Sequence, residues 1–400
     1  MIVRKNLLFI TPVIPSITGR GRNLRAFQWV SYLSRKYDVS VLYTGKADEN
    51  LSLGGGNDNQ LKCRIYKLNI KHTPFQRLKK LVFPRPAKQA ANGKYFGEDF
   101  HQLRIPRPDV ILSFRLFNAS LALQIRTLWN VKETWLDLDE LDSRTKINII
   151  KLKLSARYFK DLPKSVLVAL RYVYKEAVLI PQFDKVFTST EKERAWITKK
   201  FNLKLTDVFE NRLPFQKSTV PSTVDNEAFT FLFVGNSGYF PNRDAIDIIL
   251  FKIIPELKKL AKQPFKFVII GGEVGNRQSM QIKNERFIHF YRDVDDLELI
   301  YNRVNAVIVP LRAGGGSSLK FLEALRHRKP VVASAVGIRG FDIKDGEQAL
   351  IGCNEKELAQ KCNALMENRN LYEKLSETGY QWFIENNSYS IEGVEEQSVS

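Results

Sequence analysis

The sequence predicts an α/β protein of two Rossmann-like domains, and three observations carry that expectation. Short apolar runs alternate with longer helical patterns along the whole chain, as parallel sheets covered on both faces require. At 400 residues the chain exceeds what one hydrophobic core usually holds. A polar stretch at residues 216–227 (QKSTVPSTVDNE) separates two such alternating series and reads as the linker.

In the first series, residues 6–11 (NLLFIT) form a buried strand, followed by a Pro/Gly loop, a helix over 23–36 and a strand at 39–43. Further strands are expected at 109–113, 134–138 and 185–189. The second series opens with a strand at 229–234 (FTFLFV) and continues at 266–270, 287–291, 306–309 and 330–333. Helices are expected over 243–260, 297–302 and 318–327 between those strands. Such units bind ligands outside the carboxyl ends of their strands, and two of them joined by a linker should face each other across a cleft.

Composition narrows the function. A 44% hydrophobic, 26% charged chain is globular. Its three cysteines (Cys63, Cys353, Cys362) and four histidines fall in no zinc, disulfide or HxxxH spacing, so no metal or cofactor is expected. The opening residues lack an apolar region long enough for a signal peptide, and no stretch reaches about 18 apolar residues. The expected location is the cytoplasm, with peripheral attachment to the inner face of a membrane as one option. Charge is uneven: residues 1–215 carry 39 Lys and Arg against 19 Asp and Glu, a balance of +20, whereas residues 216–400 balance at −1. Residues 71–94 and 146–175 concentrate the excess among apolar side chains. A solvated basic face and attachment to an anionic membrane both fit. Nucleic acid fits least, because no base-reading pattern is present.

The densest chemical signal is residues 310–334, PLRAGGGSSLKFLEALRHRKPVVAS. A strand ends at Pro310, and Gly314, Gly315 and Gly316 lead through Ser317 and Ser318 into a helix. Glycines admit a ligand close to the backbone, and the amides of a helix N-terminus attract phosphate. Lys320 and Glu323, three residues apart, share one helical face, a cation for a diphosphate beside a carboxylate for ribose hydroxyls.

This segment resembles the donor-binding signature of GT-B fold glycosyltransferases of family 4, the group 1 glycosyltransferases. The opening LLFITPVIPSITGRGRNLRAFQWVSYLSRKYDVSVLY, FLFVGNSGYFPNRDAIDII, FVIIGG, FYRDVDDLELIYNRVNAVIVP and ASAVGIRGFDIKDGEQALI follow the same family in order and spacing. The likeness is dense over 229–352 and thinner before 211. It implies an N-terminal acceptor-binding domain over 1–215 and a nucleotide-sugar-binding domain over 216–370. It also implies that a C-terminal helix within 371–400 packs back on the first domain.

Carried over residue by residue, the resemblance makes Glu323 the second glutamate of the family's E-x7-E motif, on the donor ribose. The first would fall at Gly315, so that contact to the transferred sugar is absent or moved. Ser318, Leu319 and Lys320 match the helix start that meets the diphosphate. Asn236 and Pro241 stand where the family has Arg and Lys, and Arg243 is the nearest substitute cation. Gly19, Arg20, Gly21 and Arg22 match the loop that meets the sugar phosphate. Gly271 and Gly272 lie in FVIIGG; Arg292, Asp293 and Val294 match the base-contacting segment. Asn211 lies where the family turns into its linker.

The family's frequent catalytic-site histidine has no counterpart; residues 135–142 (WLDLDELD) stand near its place. Asp137 and Asp142 are candidates for acceptor hydroxyls and Asp139 for the general base, and a capped turn explains the same residues equally well. The resemblance implies a retaining glycosyltransferase that moves a sugar from a nucleotide sugar to a glycan or lipid-linked acceptor. The rivals are another GT-B enzyme, such as a sugar-nucleotide epimerase, and a basic membrane- or nucleic-acid-binding module.

Overall fold

The computed structural model describes residues 4–17, 21–45, 63–68, 103–214, 227–292, 294 and 296–389. The chain divides into two compact units. The first holds the described residues of Met1–Lys146 together with Pro163–Asn211; the second holds Ile147–Leu162 and the described chain from Arg212 onward. The expected linker lies almost wholly outside the described residues.

The first unit is a seven-stranded sheet. Its strands are β1 (Lys5–Thr11), β2 (Tyr37–Tyr43), β3 (Arg64–Lys67), β4 (Val110–Phe114), β5 (Glu133–Asp137), β6 (Lys185–Thr188) and β7 (Thr206–Val208). They lie in the order β3-β2-β1-β4-β5-β6-β7, every pairing parallel. Alternate residues of β1 enter two cores: Leu8 and Ile10 join Leu136 and Val186, while Leu7 and Phe9 join Trp29 and Phe114. A strand buried on both sides has no polar position to spare, which is why NLLFIT reads as one apolar run. The helices of this part of the chain are α1 (Gly21–Leu33), α2 (Leu116–Trp129), α3 (Asp142–Ser155), α4 (Leu162–Leu179) and α5 (Glu191–Phe201), and α3 is grouped with the second unit from Ile147 onward. Thr190 caps α5 by accepting from the Glu193 amide, and Asn202 ends it in the left-handed conformation.

After the short β8 (Leu213–Pro214), the second unit repeats the plan. It contains β9 (Phe229–Val234), β10 (Phe265–Ile270), β11 (Ile288–Tyr291), β12 (Ala306–Val309), β13 (Val331–Ala333) and β14 (Leu350–Ile351). They form a parallel sheet in the order β11-β10-β9-β12-β13-β14. The helix expected over 243–260 is interrupted: α6 (Phe240–Ile248) and α7 (Ile254–Leu260) are joined by a π-helical turn, Ile249–Ile253. Pro255 explains the break, because it lacks an amide and its ring would crowd the carbonyl one turn earlier.

Helices α8 (Asn276–Asn284), α9 (Leu297–Arg303), α10 (Leu319–Arg326), α11 (Glu355–Glu367) and α12 (Arg369–Asn387) complete the unit. The sequence assigned the C-terminal helix to the N-terminal domain. The structure instead groups α12 with the second unit, where Gly379 lies against Leu325 of α10 and Ser376 Oγ donates to the Arg328 carbonyl at 2.7 Å. Past α12, β15 (Ser388–Tyr389) pairs with β8.

Candidate functional site

In the second unit β10, β9 and β12 are neighbours, and the chain order reverses between β9 and β12. Loops leaving their carboxyl ends therefore surround a switch point, the position where open α/β sheets take ligands. Gly271, after β10, has φ +150°, and a Cβ there would run into the Gly235 carbonyl that follows β9. Only glycine lets these two strand ends approach so closely. The Gly272 amide donates to the Arg292 carbonyl at 2.8 Å, which fixes the loop after β11. After β9, Asn236 Oδ1 accepts from the Gly238 amide at 2.8 Å, and Asn242 Nδ2 donates to the Asn236 carbonyl at 2.9 Å.

The third loop, after β12, is the glycine run, and Arg339 organises it. Its Nε and Nη2 donate to the Gly315 carbonyl at 3.0 and 2.8 Å, and its own carbonyl accepts from the Ser318 amide at 3.1 Å. A Cβ on Gly314 would lie 2.6 Å from the guanidinium carbon. Arg312 ties the same loop to α6 through a bidentate contact with buried Asp244, 2.9 Å from Nε and 2.5 Å from Nη2. The chain then enters α10 at Leu319 with the partial positive charge of a helix start. Ser318 is the cap residue, and its buried Oγ has no hydrogen-bond partner among the described residues.

On the first turns of α10, Lys320 Nζ donates to Asn242 Oδ1 at 2.9 Å and stands 4.9 Å from the centre of the Phe233 ring. Burial, and then the Arg339 charge, bring its pKa down to about 7, with Glu323 opposing. Glu323 Oε2 accepts from Tyr301 Oη at 3.4 Å. Burial pushes that carboxyl up, against the pull of Arg326 and Lys320. Tyr301 is itself fixed by stacking on His327, with ring centres 4.5 Å apart. The turn thus presents a cation whose charge is readily changed beside a carboxylate held in place.

The first unit carries a separate cluster at the carboxyl ends of β4 and β5. Arg25, buried in α1, donates from Nε and Nη2 to Asp137, each at 2.8 Å, and from Nη1 to the Phe209 carbonyl and Asn211 Oδ1. Trp29 Nε1 reaches Asp137 at 2.6 Å, and the Asp139 amide adds a bond at 3.1 Å. Arg115 fans onto three carboxylates: Asp139 at 3.0 Å, Glu140 at 2.9 Å and Asp142 at 3.0 Å. Both Arg115 (φ +70°) and Asp139 (φ +60°) hold left-handed backbones, strain of the kind found at functional sites. Burial opposes the charge on Glu140, yet Arg115 and Arg22, with hydrogen bonds from Arg115 and Thr145, hold it well below the usual range. At Asp139 and Asp142 burial prevails over Arg115 and raises the carboxyl.

These geometries sort the expected residues. Gly271, Gly272, Gly314, Gly315, Gly316, Ser317, Ser318, Leu319, Lys320 and Glu323 all follow the carboxyl ends of β10 and β12, strands that flank β9 in the second sheet. Asn236 shapes the first loop, and Arg243 Nε donates to the Ser237 carbonyl at 3.3 Å. Arg292 is exposed and paired with Glu273 at 3.3 Å, while Val294 is half-buried. Gly19, Arg20 and Asp293 lie outside the described residues; Arg22 is exposed, 3.5 Å from Glu140.

Three expectations are corrected. The Ser318 amide already donates to the Arg339 carbonyl, so it is not open to a phosphate as expected. Asp137 is fully buried with its oxygens occupied by Arg25 and Trp29, so it is structural and not an acceptor ligand. Asp142 is likewise buried against Arg115. Arg339, Asn242, Tyr301, Arg25 and Arg115 escaped the sequence reading. Arg25, Asn242, Tyr301 and Arg339 lie within the segments that carry the resemblance, but nothing local marks their roles, whereas Arg115 lies outside those segments.

Residues 228–368 match the family model described as "Glycosyl transferases group 1". No curated protein matches the chain by sequence. Among solved structures, sucrose-phosphate synthase from Thermosynechococcus elongatus is similar at 16% identity with a TM-score of 0.67, covering 96% of this chain and 95% of that one. HepE of Anabaena, solved with UDP and glucose, aligns at 14% identity and 0.63, over 97% and 96%. A glycosyltransferase from Rickettsia africae aligns at 15% identity and 0.60, over 96% and 94%. The chain therefore has the GT-B fold, and its second unit carries the group 1 glycosyl transferase match.

Proposed function

We propose that the protein is a retaining, family 4-type hexosyltransferase. It would move a sugar from a nucleotide sugar to a glycan or lipid-linked acceptor in polysaccharide or glycoconjugate synthesis. The observation that supports this most is the start of α10. There two helix-start amides, an adaptable lysine and a fixed carboxylate stand three residues apart at a sheet switch point, inside the segment that matches the family model. Glu323 would accept from the ribose hydroxyls. The Leu319 and Lys320 amides and the Lys320 ammonium would hold the diphosphate.

As the glycosidic bond breaks, negative charge gathers on the leaving diphosphate, and donors already aimed at it are worth more then than in the ground state. Arg243 would add charge on the α6 side of that group. Asp139 of the first unit, whose carboxyl burial raises and whose side chain keeps 16% exposure, is the candidate base for the acceptor hydroxyl. The nucleotide sugar acts as co-substrate, and no step calls for a resident cofactor. The solved HepE structure holds UDP and glucose, which makes UDP-glucose the first donor to try. A screen of UDP-, GDP- and dTDP-sugars for binding by titration calorimetry and for slow donor hydrolysis tests the proposal. One series should bind and turn over; no binding in any of them would overturn it.

A further inference from the structure

The first unit has a switch point of its own. Its sheet order reverses between β1 and β4, so the loops that leave those two strands diverge at their carboxyl ends. Phe114 at the end of β4 and Asp137 at the end of β5 are register partners, so the loops after them leave the sheet at one level. Phe117 follows β4 in the first turn of α2 and is 62% exposed, although its neighbours Leu116 and Asn118 are both buried. The backbone that carries it is held on both sides. The Arg115 amide donates to the Asp137 carbonyl at 2.7 Å, and the Asn118 amide to the Arg115 carbonyl at 3.0 Å. Asn118 Oδ1 accepts from Thr44 Oγ1 at 2.9 Å, and its Nδ2 donates to the Phe114 carbonyl at 3.2 Å. A phenyl ring is thus displayed on a fixed rim, where burying it would have favoured the fold.

We propose that Phe117 is the platform for an acceptor that ends in a sugar ring. A single exposed apolar residue needs no partner in general, but this one stands among polar groups at a ligand-binding position. It lies two residues from Arg115, whose guanidinium gathers Asp139, Glu140 and Asp142. Arg22, more than half exposed, reaches Glu140 at 3.5 Å from the start of α1, after β1. A pyranose has a face of C–H bonds and a rim of hydroxyls. The slightly positive C–H face would lie on the negative face of the phenyl ring. The hydroxyls at its rim would reach Asp139, Glu140 and Arg22. An alkyl chain laid on the ring would strip water from those charged groups and return no hydrogen bond.

The platform supplies what the corrected residues do not. Asp137 and Asp142, the expected acceptor ligands, are buried and bonded within the protein. A phenylalanine carries no hydrogen-bonding group, so a search for polar acceptor ligands passes over it. The platform draws on neither basic stretch: residues 71–94 lie outside the described residues, and 146–175 begin beyond the turn that holds Asp139 and Glu140.

The acceptor role rests on the transferase reading above, and the test keeps the two apart. Full-length protein is mixed with the methyl glycosides of glucose, galactose, mannose and N-acetylglucosamine, and saturation-transfer NMR reads contact with their ring protons. At least one should bind, with saturation strongest on the C–H protons of one ring face. Phe117→Ala should weaken that binding roughly ten- to a hundredfold while the unfolding temperature holds. Phe117→Trp should keep it within about threefold of the wild type, because the larger ring offers the same face. No glycoside bound by the wild type would overturn the proposal, as would equal binding by the alanine variant. So would binding of a decyl glycoside through its chain alone, with its ring protons unsaturated. Glycoside binding that needs Phe117, in a protein that binds no nucleotide sugar, would uphold the platform and remove the transferase reading.

Discussion

Lys320 Nζ donates to Asn242 Oδ1 at 2.9 Å, which ties the first turn of α10 to the first turn of α6. Two helices that start from different glycine loops are thereby joined through one ammonium. The same bond holds the lysine in a buried position, where desolvation and then the Arg339 charge make its own charge costly.

That cost makes donor binding pH-dependent. With a pKa near 7, Lys320 is charged below neutrality and loses its proton as the pH rises through 7. A bound diphosphate favours the charged form and raises that pKa. Binding of a nucleotide sugar at pH 8 should therefore take up a proton, and affinity should fall by up to about tenfold per unit above pH 7. Titration in buffers of different ionisation enthalpy measures the uptake. Lys320→Met should abolish it, and a pH-independent wild-type affinity would remove Lys320 from the diphosphate site.

Glu323→Ala should weaken donor binding by roughly ten- to a hundredfold, the worth of hydrogen bonds to a charged group. Tyr301→Phe removes the hydroxyl that holds Oε2 while leaving the stack on His327, and should cost roughly fivefold. A phenylalanine variant as weak as the alanine variant would mean that Tyr301 touches the nucleotide itself.

Gly271→Ala tests the close approach of the strand ends. The added methyl meets the Gly235 carbonyl, and φ +150° is closed to alanine, so a loss of roughly 2–4 kcal/mol is expected in denaturant unfolding. Gly346→Ala is the control, because its Cβ meets nothing within 4 Å and only the φ of +78° resists it. It should cost about 1–2 kcal/mol.

What could be read in advance follows from where the physical signal sits. β9 (FTFLFV) and β12 (AVIV) matched their expected bounds, because a strand buried on both faces must be a short apolar run. β3 (RIYK) and β7 (TDV) were invisible: at the sheet edges they are at most half-buried and carry no such run. The glycine loop, Lys320 and Glu323 are neighbours in sequence, so their grouping at the start of one helix could be read locally. Lys153 shows the opposite case, a lysine in a basic stretch that the fold lays over two aromatic rings. Asp137 shows it most plainly, since its partner Arg25 is 112 positions away and nothing in WLDLDELD reveals it.

That distant pair supports the last prediction. Asp137 is fully buried and receives two bonds from Arg25 and one from Trp29, so its charge is compensated only while Arg25 is present. Asp137→Ala would leave the buried Arg25 guanidinium with only Asp139, 3.6 Å from its Nε, and should destabilise the first unit by about 3–5 kcal/mol. Replacing both members by apolar residues of similar volume, Arg25→Met with Asp137→Leu, removes the stranded charge and should recover part of that loss. It cannot recover all of it, because Arg25 also serves the Phe209 carbonyl and Asn211, and Trp29 Nε1 would lose its acceptor. Denaturant unfolding of the two single variants and the double variant gives the coupling energy directly. A double variant as unstable as the sum of the singles would mean that Arg25 and Asp137 act independently. The pair would then owe its burial to its other partners.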